Sequence, residues 1–308
     1  MKKRDFLSIA DWSGEKLLSL IEFSGNVKQN PRKYLKTLEG KSLAMIFEKQ
    51  SLRTHVTFDV ALYELGAHGV YLTQADISLG KRESVYDTAK NLERWVDGVV
   101  VRTFAHKTCV DLAASMRVPV INALTDHEHP CQAVGDFLTI TEHVGPVKGK
   151  KLVFIGDGNN VCHSLMLLAG KLGMNFTAAT PHGYEPDRKV VALAAAAAKR
   201  LGARVEVTSN PKEAVKDADV LYTDVWTSMG QEEERVERLR LFKEFQVNKR
   251  LMSRAKPRAI FMHCLPAHRG EEVTNQVIDS KQSVVFDEAE NRLHSEKAIL
   301  LTLLQGEQ

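Results

Sequence analysis

Along the chain, short apolar runs rich in Val, Ile and Leu alternate with longer stretches in which apolar positions recur every three or four residues. The short runs are SLAMIF (42–47), HGVYL (68–72), GVVVRTF (98–104) and VPVINAL (118–124). A second set follows: KLVFIG (151–156), NFTAAT (175–180), ARVEVTS (203–209), VLYTDVW (220–226), AIFMHCL (259–265) and SVVF (283–286). Nearly continuous hydrophobicity of this kind suits strands covered on both faces. Between them, Phe58, Ala61, Leu62 and Leu65 mark one face of a helix that Gly66 is placed to end, and Val85, Ala89, Leu92 and Val96 mark another. The alternation predicts an α/β protein built on parallel sheets. Ten such runs are many for one sheet, and the polar, Gly- and Lys-rich VGPVKGKK (144–151) is the natural seam. The expected architecture is two doubly wound parallel-sheet domains with helices on both faces, over residues 1–145 and 146–290. Ligands of open α/β sheets sit beyond the carboxyl ends of the strands, so the polar residues just after each run are where chemistry is expected.

Composition narrows the classes. A formal net charge of +3 on 308 residues is too small and dispersed for a nucleic-acid surface, yet ample for a small anion met by a few placed arginines. The four cysteines form no C-x-x-C pair, which fits a reducing compartment. The N-terminal stretch MKKRDFLSIADWSGEKLLSLI lacks the apolar core of a signal peptide, and no 18-residue apolar span follows. The expected location is cytoplasmic, away from membranes.

At the strand ends, each functional reading has a plain structural rival. Ser51 is a candidate N-cap for a helix beginning near Arg53, and the Ser51 and Thr54 hydroxyls, the Arg53 guanidinium and the helix N–H groups together could cradle a phosphate. A simple cap with a surface arginine explains the same letters. Arg102 ends a run otherwise too apolar for a charge, unless it pairs with an acid at the rim. His127, His129 and Gln132 flank a helix start at Pro130; no third ligand stands at a metal-like spacing, and a His with a Gln three residues on suits a carbonyl or carboxamide. Gly156-x-Gly158 follows a strand as in dinucleotide loops, but Val161 stands at the third glycine position, and the amides of Asn159 and Asn160 suit a zwitterionic amino acid better. Asp224, with Ser228, Met229 and Gly230 behind it, could hold an ammonium group. Cys264 and Leu265 precede Pro266, where inert packing is the rival reading. Arg292 stands at the expected start of the last helix, where a surface position is equally natural.

Taken together, FEKQSLRTHVTF, LGKRESVYDTAKNL, RTF, DHEHPCQAVGDFLT, GDGNNV, DVWTSMGQE, HCLPAHRGEEV and DEAENRLH run over nearly the whole chain. In this order and spacing they resemble the ornithine carbamoyltransferases, within the aspartate/ornithine carbamoyltransferase superfamily. The resemblance implies a first domain for carbamoyl phosphate and a second for ornithine, with the C-terminal helix (291–308) packing back on the first. It implies carbamoyl phosphate contacts from Ser51, Leu52 (backbone), Arg53, Thr54, Ser78, Arg102, His129, Gln132, Cys264, Leu265 (carbonyl) and Arg292. Ornithine contacts would come from Asn160, Asp224, Ser228 and Met229, and the catalytic groups would be Arg102, His129, Asp224 and Cys264. The implied reaction gives citrulline and phosphate in arginine biosynthesis, in a trimer or multiple of trimers, with no metal or organic cofactor. Another amine such as acetylornithine or putrescine, and a non-catalytic homologue, are the alternatives. Three positions depart from the family pattern: Leu52 and His55, where S-T-R-T-R is usual, and Ser78, where many members use Gln or His to reach a neighbouring subunit's ligand.

Overall fold

A computed structural model describes residues 4–77, 79–80 and 83–305. Its contacts divide the chain into two units, one comprising residues up to Leu138 together with the chain from Glu290, the other Thr139–Ala289.

In the first unit, β1 (Ser42–Phe47), β2 (His68–Thr73), β3 (Gly98–Arg102) and β4 (Val120–Leu124) form a parallel sheet in the order β2-β1-β3-β4. The continuous apolar runs lie inside it: β3 and β4 are buried throughout, whereas the edge strand β2 has no buried position, being exposed at His68 and Val70 and half-buried elsewhere. Ala44, Ile46, Val99 and Val101 pack with Ala89, Leu92, Cys109 and Leu112 from the surrounding helices. The helix Leu52–Leu65 buries Phe58, Ala61, Leu62 and Leu65, the predicted stripe, and Gly66 closes it in the left-handed conformation.

In the second unit, β5 (Lys151–Ile155), β6 (Asn175–Ala179), β7 (Val205–Thr208), β8 (Val220–Thr223) and β9 (Ile260–His263) form a parallel sheet in the order β7-β6-β5-β8-β9. Val153, Ile155, Leu221 and Phe261 meet Val215, Phe245, Val273 and Val285 in its core. The helix Asn160–Leu172 is buried from Val161 to Gly170 and packs along the helix Arg188–Arg200.

One predicted strand is not formed. SVVF contributes a single parallel bridge, Ser283 to Phe261, and the helix Val285–Leu304 begins inside it. Val284 and Val285 are buried as a helix entry, and Asp287 and Glu288 fall in the first turn, where acids complement the helix dipole. Arg292 therefore lies two turns inside the last helix and not at its start.

Candidate active site

Each sheet reverses its strand order once, between β1 and β3 in the first unit and between β5 and β8 in the second. Such reversals leave a crevice beyond the carboxyl ends of the strands. The predicted residues gather at both.

In the first unit, Ser51 caps the helix Leu52–Leu65, its Oγ accepting the Thr54 N–H at 3.2 Å. Thr54 is buried, and its hydroxyl accepts from Arg292 Nη2 at 3.0 Å and from Arg102 Nη1 at 3.5 Å. Arg292 is also buried: Nη1 donates to Gln132 Oε1 at 2.6 Å, while Nε and Nη2 donate to Glu296 Oε1 at 3.0 and 2.6 Å. The Gln132 amide in turn donates to Asp136 at 2.7 Å, which fixes the flip of its carboxamide. Burial holds the His129 imidazole well below the usual histidine range, and the charges of Arg292, Arg102 and Arg53 push the same way. Three guanidinium groups and a helix N-terminus so arranged favour an anion, with a neutral imidazole beside it.

Two of the three departures from the family pattern, Leu52 and His55, sit on the same helix. Leu52 is 74% exposed, which leaves its contribution to the backbone N–H of the first turn. His55 stacks on Tyr71, ring centroids 3.8 Å apart and 6° from parallel, and Tyr71 leans on Phe47. Ser78 lies outside the described residues.

In the second unit, Asp224 follows β8 and is buried at 8% exposure. Its Oδ2 accepts from Asn159 Nδ2 at 2.7 Å; its Oδ1 accepts from the Cys264 thiol at 3.1 Å and the Val225 N–H at 2.8 Å. Asn159 also caps the helix Asn160–Leu172, its Oδ1 accepting from Val161 and Cys162 N–H at 3.1 Å each. Asn160 turns its Oδ1 to the Val161 N–H at 2.9 Å. Ser228 and Met229 follow on the next loop, where the Ser228 N–H meets Gln231 Oε1 at 3.1 Å and Met229 is 47% exposed. Beneath that loop, Arg238 Nη1 donates to Asp157 Oδ2 at 2.8 Å and to the Trp226 carbonyl at 2.9 Å. Burial pushes Asp157 up to about 6 in spite of Arg238.

Cys264 and Leu265 leave β9 in a turn, with Leu265 at φ 58 and its N–H donating to His263 Nδ1 at 2.9 Å. Gly158 has a use unrelated to dinucleotides. A side chain there would stand 2.3 Å from the Pro186 nitrogen, so the close approach this glycine permits is to the chain's own 185–186 backbone. Among the described residues, possible metal-ligand atoms converge at Asp224, His263 and Cys264 and at His268, Glu271 and Glu272. An ion at the first group would have to displace a bond of His263, whose nitrogens meet the Leu265 N–H and Glu272.

The structure thus ties Ser51, Thr54, Arg102, Gln132 and Arg292 together, with His129 and Arg53 in electrostatic reach, and separately ties Asn159, Asp224 and Cys264. Sequence reasoning passed over Glu296, although its i+4 spacing from Arg292 was a usable sign, and over Asn159 as the group that orients Asp224.

Comparison with known proteins gives this geometry a family. The model of the aspartate/ornithine carbamoyltransferase carbamoyl-P binding domain matches residues 4–142, and that of the Asp/Orn binding domain matches 148–303. The chain belongs to the aspartate/ornithine carbamoyltransferase family. Within this family of enzymes it is 53% identical over 308 residues to the ornithine carbamoyltransferase of Pyrococcus horikoshii, covering 99% of this chain and 97% of the relative. The solved ornithine carbamoyltransferase of Pyrococcus furiosus is 51% identical, with TM-score 0.96 over 99% of this chain and 98% of that one. The anabolic ornithine carbamoyltransferase of Campylobacter jejuni is 39% identical, with TM-score 0.92 over 97% and 98%. The carbamoyltransferase domain match at 148–303 includes the last helix, whose residues from Glu290 on nevertheless pack with the first unit.

Proposed function

We propose that this chain transfers the carbamoyl group of carbamoyl phosphate to the δ-amine of L-ornithine, giving L-citrulline and phosphate for arginine biosynthesis. The observation that carries the reading is the Asp224 carboxylate, oriented by Asn159 and Cys264 at the strand reversal of the second unit, in a chain about half identical to ornithine carbamoyltransferases. The phosphate is taken by Ser51, Arg53, Thr54 and the first-turn N–H groups at Leu52, and the carbamoyl group by Gln132 and Arg292, with the Leu265 carbonyl on its amide. The tetrahedral intermediate places negative charge on the carbamoyl oxygen. Arg102, the neutral His129 and the Thr54 hydroxyl are the donors for it, each worth a few kcal/mol in sites of this kind.

The δ-amine titrates near 10.4 in water, so at pH 7 about one molecule in 2,500 is uncharged and nucleophilic. Asp224 holds the ammonium and, with Cys264, accepts its proton, so that the freed amine attacks the carbamoyl carbon. The tetrahedral intermediate then breaks its C–O bond to phosphate, which leaves as the second amine proton is lost to it, and no covalent intermediate with the enzyme is involved. Asn160, Ser228 and Met229 take the α-amino acid end. Ser78 would add a contact to a neighbouring subunit's ligand, which belongs with assembly as a trimer or a multiple of one. No helix of the described residues is long and apolar enough to cross a membrane, and a cytoplasmic enzyme is the reading we adopt.

Carbamoyl transfer measured as phosphate release with ornithine, acetylornithine and putrescine, with the carbamoylated amine identified by mass, tests the assignment. Preference for ornithine supports it; preference for another amine transfers the reaction to that substrate. Carbamoyl phosphate binding without turnover on any of them overturns the enzymatic reading.

A further inference from the structure

The roles above leave unused a carboxylate that is completely buried. Glu272 is 0% exposed, as is His263, and its Oε1 meets His263 Nε2 at 3.1 Å and accepts the His268 N–H at 2.5 Å. A carboxylate that accepts from Nε2 requires the proton on that nitrogen, which leaves the lone pair on Nδ1. That lone pair receives the Leu265 N–H at 2.9 Å. Leu265 needs the hold, because φ 58 is a left-handed backbone that a side chain bearing a Cβ adopts only under constraint. A second buried carboxylate secures the other side: Glu288 accepts the His263 N–H at 2.9 Å and the Tyr222 hydroxyl at 3.0 Å, linking the ends of β9 and β8. Two residues beyond Tyr222 stands Asp224, and one beyond His263 stands the Cys264 thiol that donates to it.

We propose that Glu272, acting through the His263 tautomer, is a positioning residue that fixes the Leu265 turn and with it the Cys264 thiol and the Leu265 carbonyl. The proposal rests on the carbamoyl-transfer reading of Asp224, Cys264 and Leu265. Glu272 itself touches no substrate. Its effect reaches the reaction by aiming two groups that do.

The test separates positioning from simple burial by exchanging His263 for its two amide mimics. In His263→Asn the side-chain oxygen stands where Nδ1 stood and can still accept the Leu265 N–H. In His263→Gln the amide reaches the Nε2 position and leaves that N–H without its acceptor. Misplacement of a reacting group by about 1 Å costs about 100-fold in rate, so His263→Gln and Glu272→Met should each lose about 100-fold in kcat with a much smaller change in KM for ornithine. His263→Asn should recover most of what His263→Gln loses, and Glu272→Gln, which keeps an acceptor oxygen, should recover most of what Glu272→Met loses.

Iodoacetamide labelling supplies a readout independent of turnover, since Cys264 is half-buried and Cys109, Cys131 and Cys162 are buried. Labelling at Cys264, followed by peptide mass, should run faster in His263→Gln and Glu272→Met than in wild type or His263→Asn. Failure of the wild type to make citrulline overturns the carbamoyl-transfer reading, while the labelling order still decides whether Glu272 positions the turn. If the two amide variants label alike and share one kcat, differing from wild type only in melting temperature, Glu272 is a packing residue and the proposal is wrong. Should Glu272→Met not fold, the His263 pair gives the decision alone.

Discussion

Three donors converge on the Asp224 carboxylate: the Asn159 Nδ2 amide, the Cys264 thiol and the Val225 N–H. Asp224→Asn turns one oxygen into an NH2 facing a donor, which leaves a buried group unpaired at a cost of about 1–3 kcal/mol and removes the counter-charge proposed for the amine. Cys264→Ser keeps a donor to Asp224 Oδ1. The expected outcome is that Asp224→Asn loses both melting temperature and nearly all citrulline formation per folded molecule, while Cys264→Ser retains far more of each. Both are read on the same samples, and full activity in folded Asp224→Asn would remove Asp224 from the ornithine site. His129 carries a pH prediction. Its folded pKa is depressed, by burial first and then by Arg292, Arg102 and Arg53, while the unfolded chain takes up the proton near 6.5. Below that pH the unfolded state binds more protons, so stability present above about 6.5 falls by about 1.4 kcal/mol per pH unit until the folded pKa is reached. Urea unfolding of His129→Gln should show a shallower loss between about pH 6.5 and pH 5 than wild type; equal slopes would mean that His129 is not held neutral. The strand-end logic made Asp224 and His129 legible in the sequence, because an isolated polar residue after an apolar run has few bland uses. Arg292 was not legible in the same way. Nothing in DEAENRLHSEK tells which face of its helix meets Thr54, and only the fold shows that this face is the buried one.

Among the elements, the strands buried along their whole length were readable from hydrophobicity alone because both of their faces are covered, as in β3, β4, β8 and β9. SVVF failed for a physical reason: a short apolar run looks the same whether it enters a buried strand or a buried helix, and the acids just after it favour the helix. The contact between the helices Pro130–Val144 and Val285–Leu304 is the element on which the proposed place of Arg292 in the carbamoyl phosphate site depends. It was invisible in the sequence, since Gly135 reads there as nothing more than a weak helix residue. In the fold, a Cβ at Gly135 would stand 3.2 Å from Ser295 Oγ and 3.5 Å from Arg292 Cδ. Gly135→Val overpacks this contact, at about 1–3 kcal/mol, and moves Arg292 off Thr54 and Gln132. Calorimetric titration should show weaker carbamoyl phosphate binding in this variant, with KM for ornithine little changed. Wild-type affinity for carbamoyl phosphate in Gly135→Val would show that the helix contact does not set Arg292.

For the whole molecule, Gly and Pro suggested a seam at 144–151, but the contact division falls at Leu138/Thr139, inside the preceding helix, and again at Ala289/Glu290, inside the last one. Punctuation by Gly and Pro marks where helices stop, not where cores divide, and the two need not coincide. The first unit is consequently built from both ends of the chain. Ala298, Ile299, Leu300 and Leu301 of the last helix are buried at 1% exposure or less, and Leu304 Cδ2 would stand 3.3 Å from a Cβ placed on Gly98 at the start of β3. Each buried Ile or Leu is worth about 1.5–3 kcal/mol, so losing three of them together with the Arg292 network removes a large part of the roughly 5–15 kcal/mol that holds a domain folded. A chain ending at Ala289 should therefore leave the first unit unfolded, while strands β5 to β9 keep a core made of their own residues, Val285 among them. Amide hydrogen exchange followed by peptide mass distinguishes the two: peptides covering β1 and β3 should exchange as unfolded chain, and those covering β5 and β8 should stay protected. Native protection of β1 and β3 in the truncated chain would show that the last helix is dispensable to the first unit, and that Arg292 reaches Thr54 without contributing to the fold that holds it.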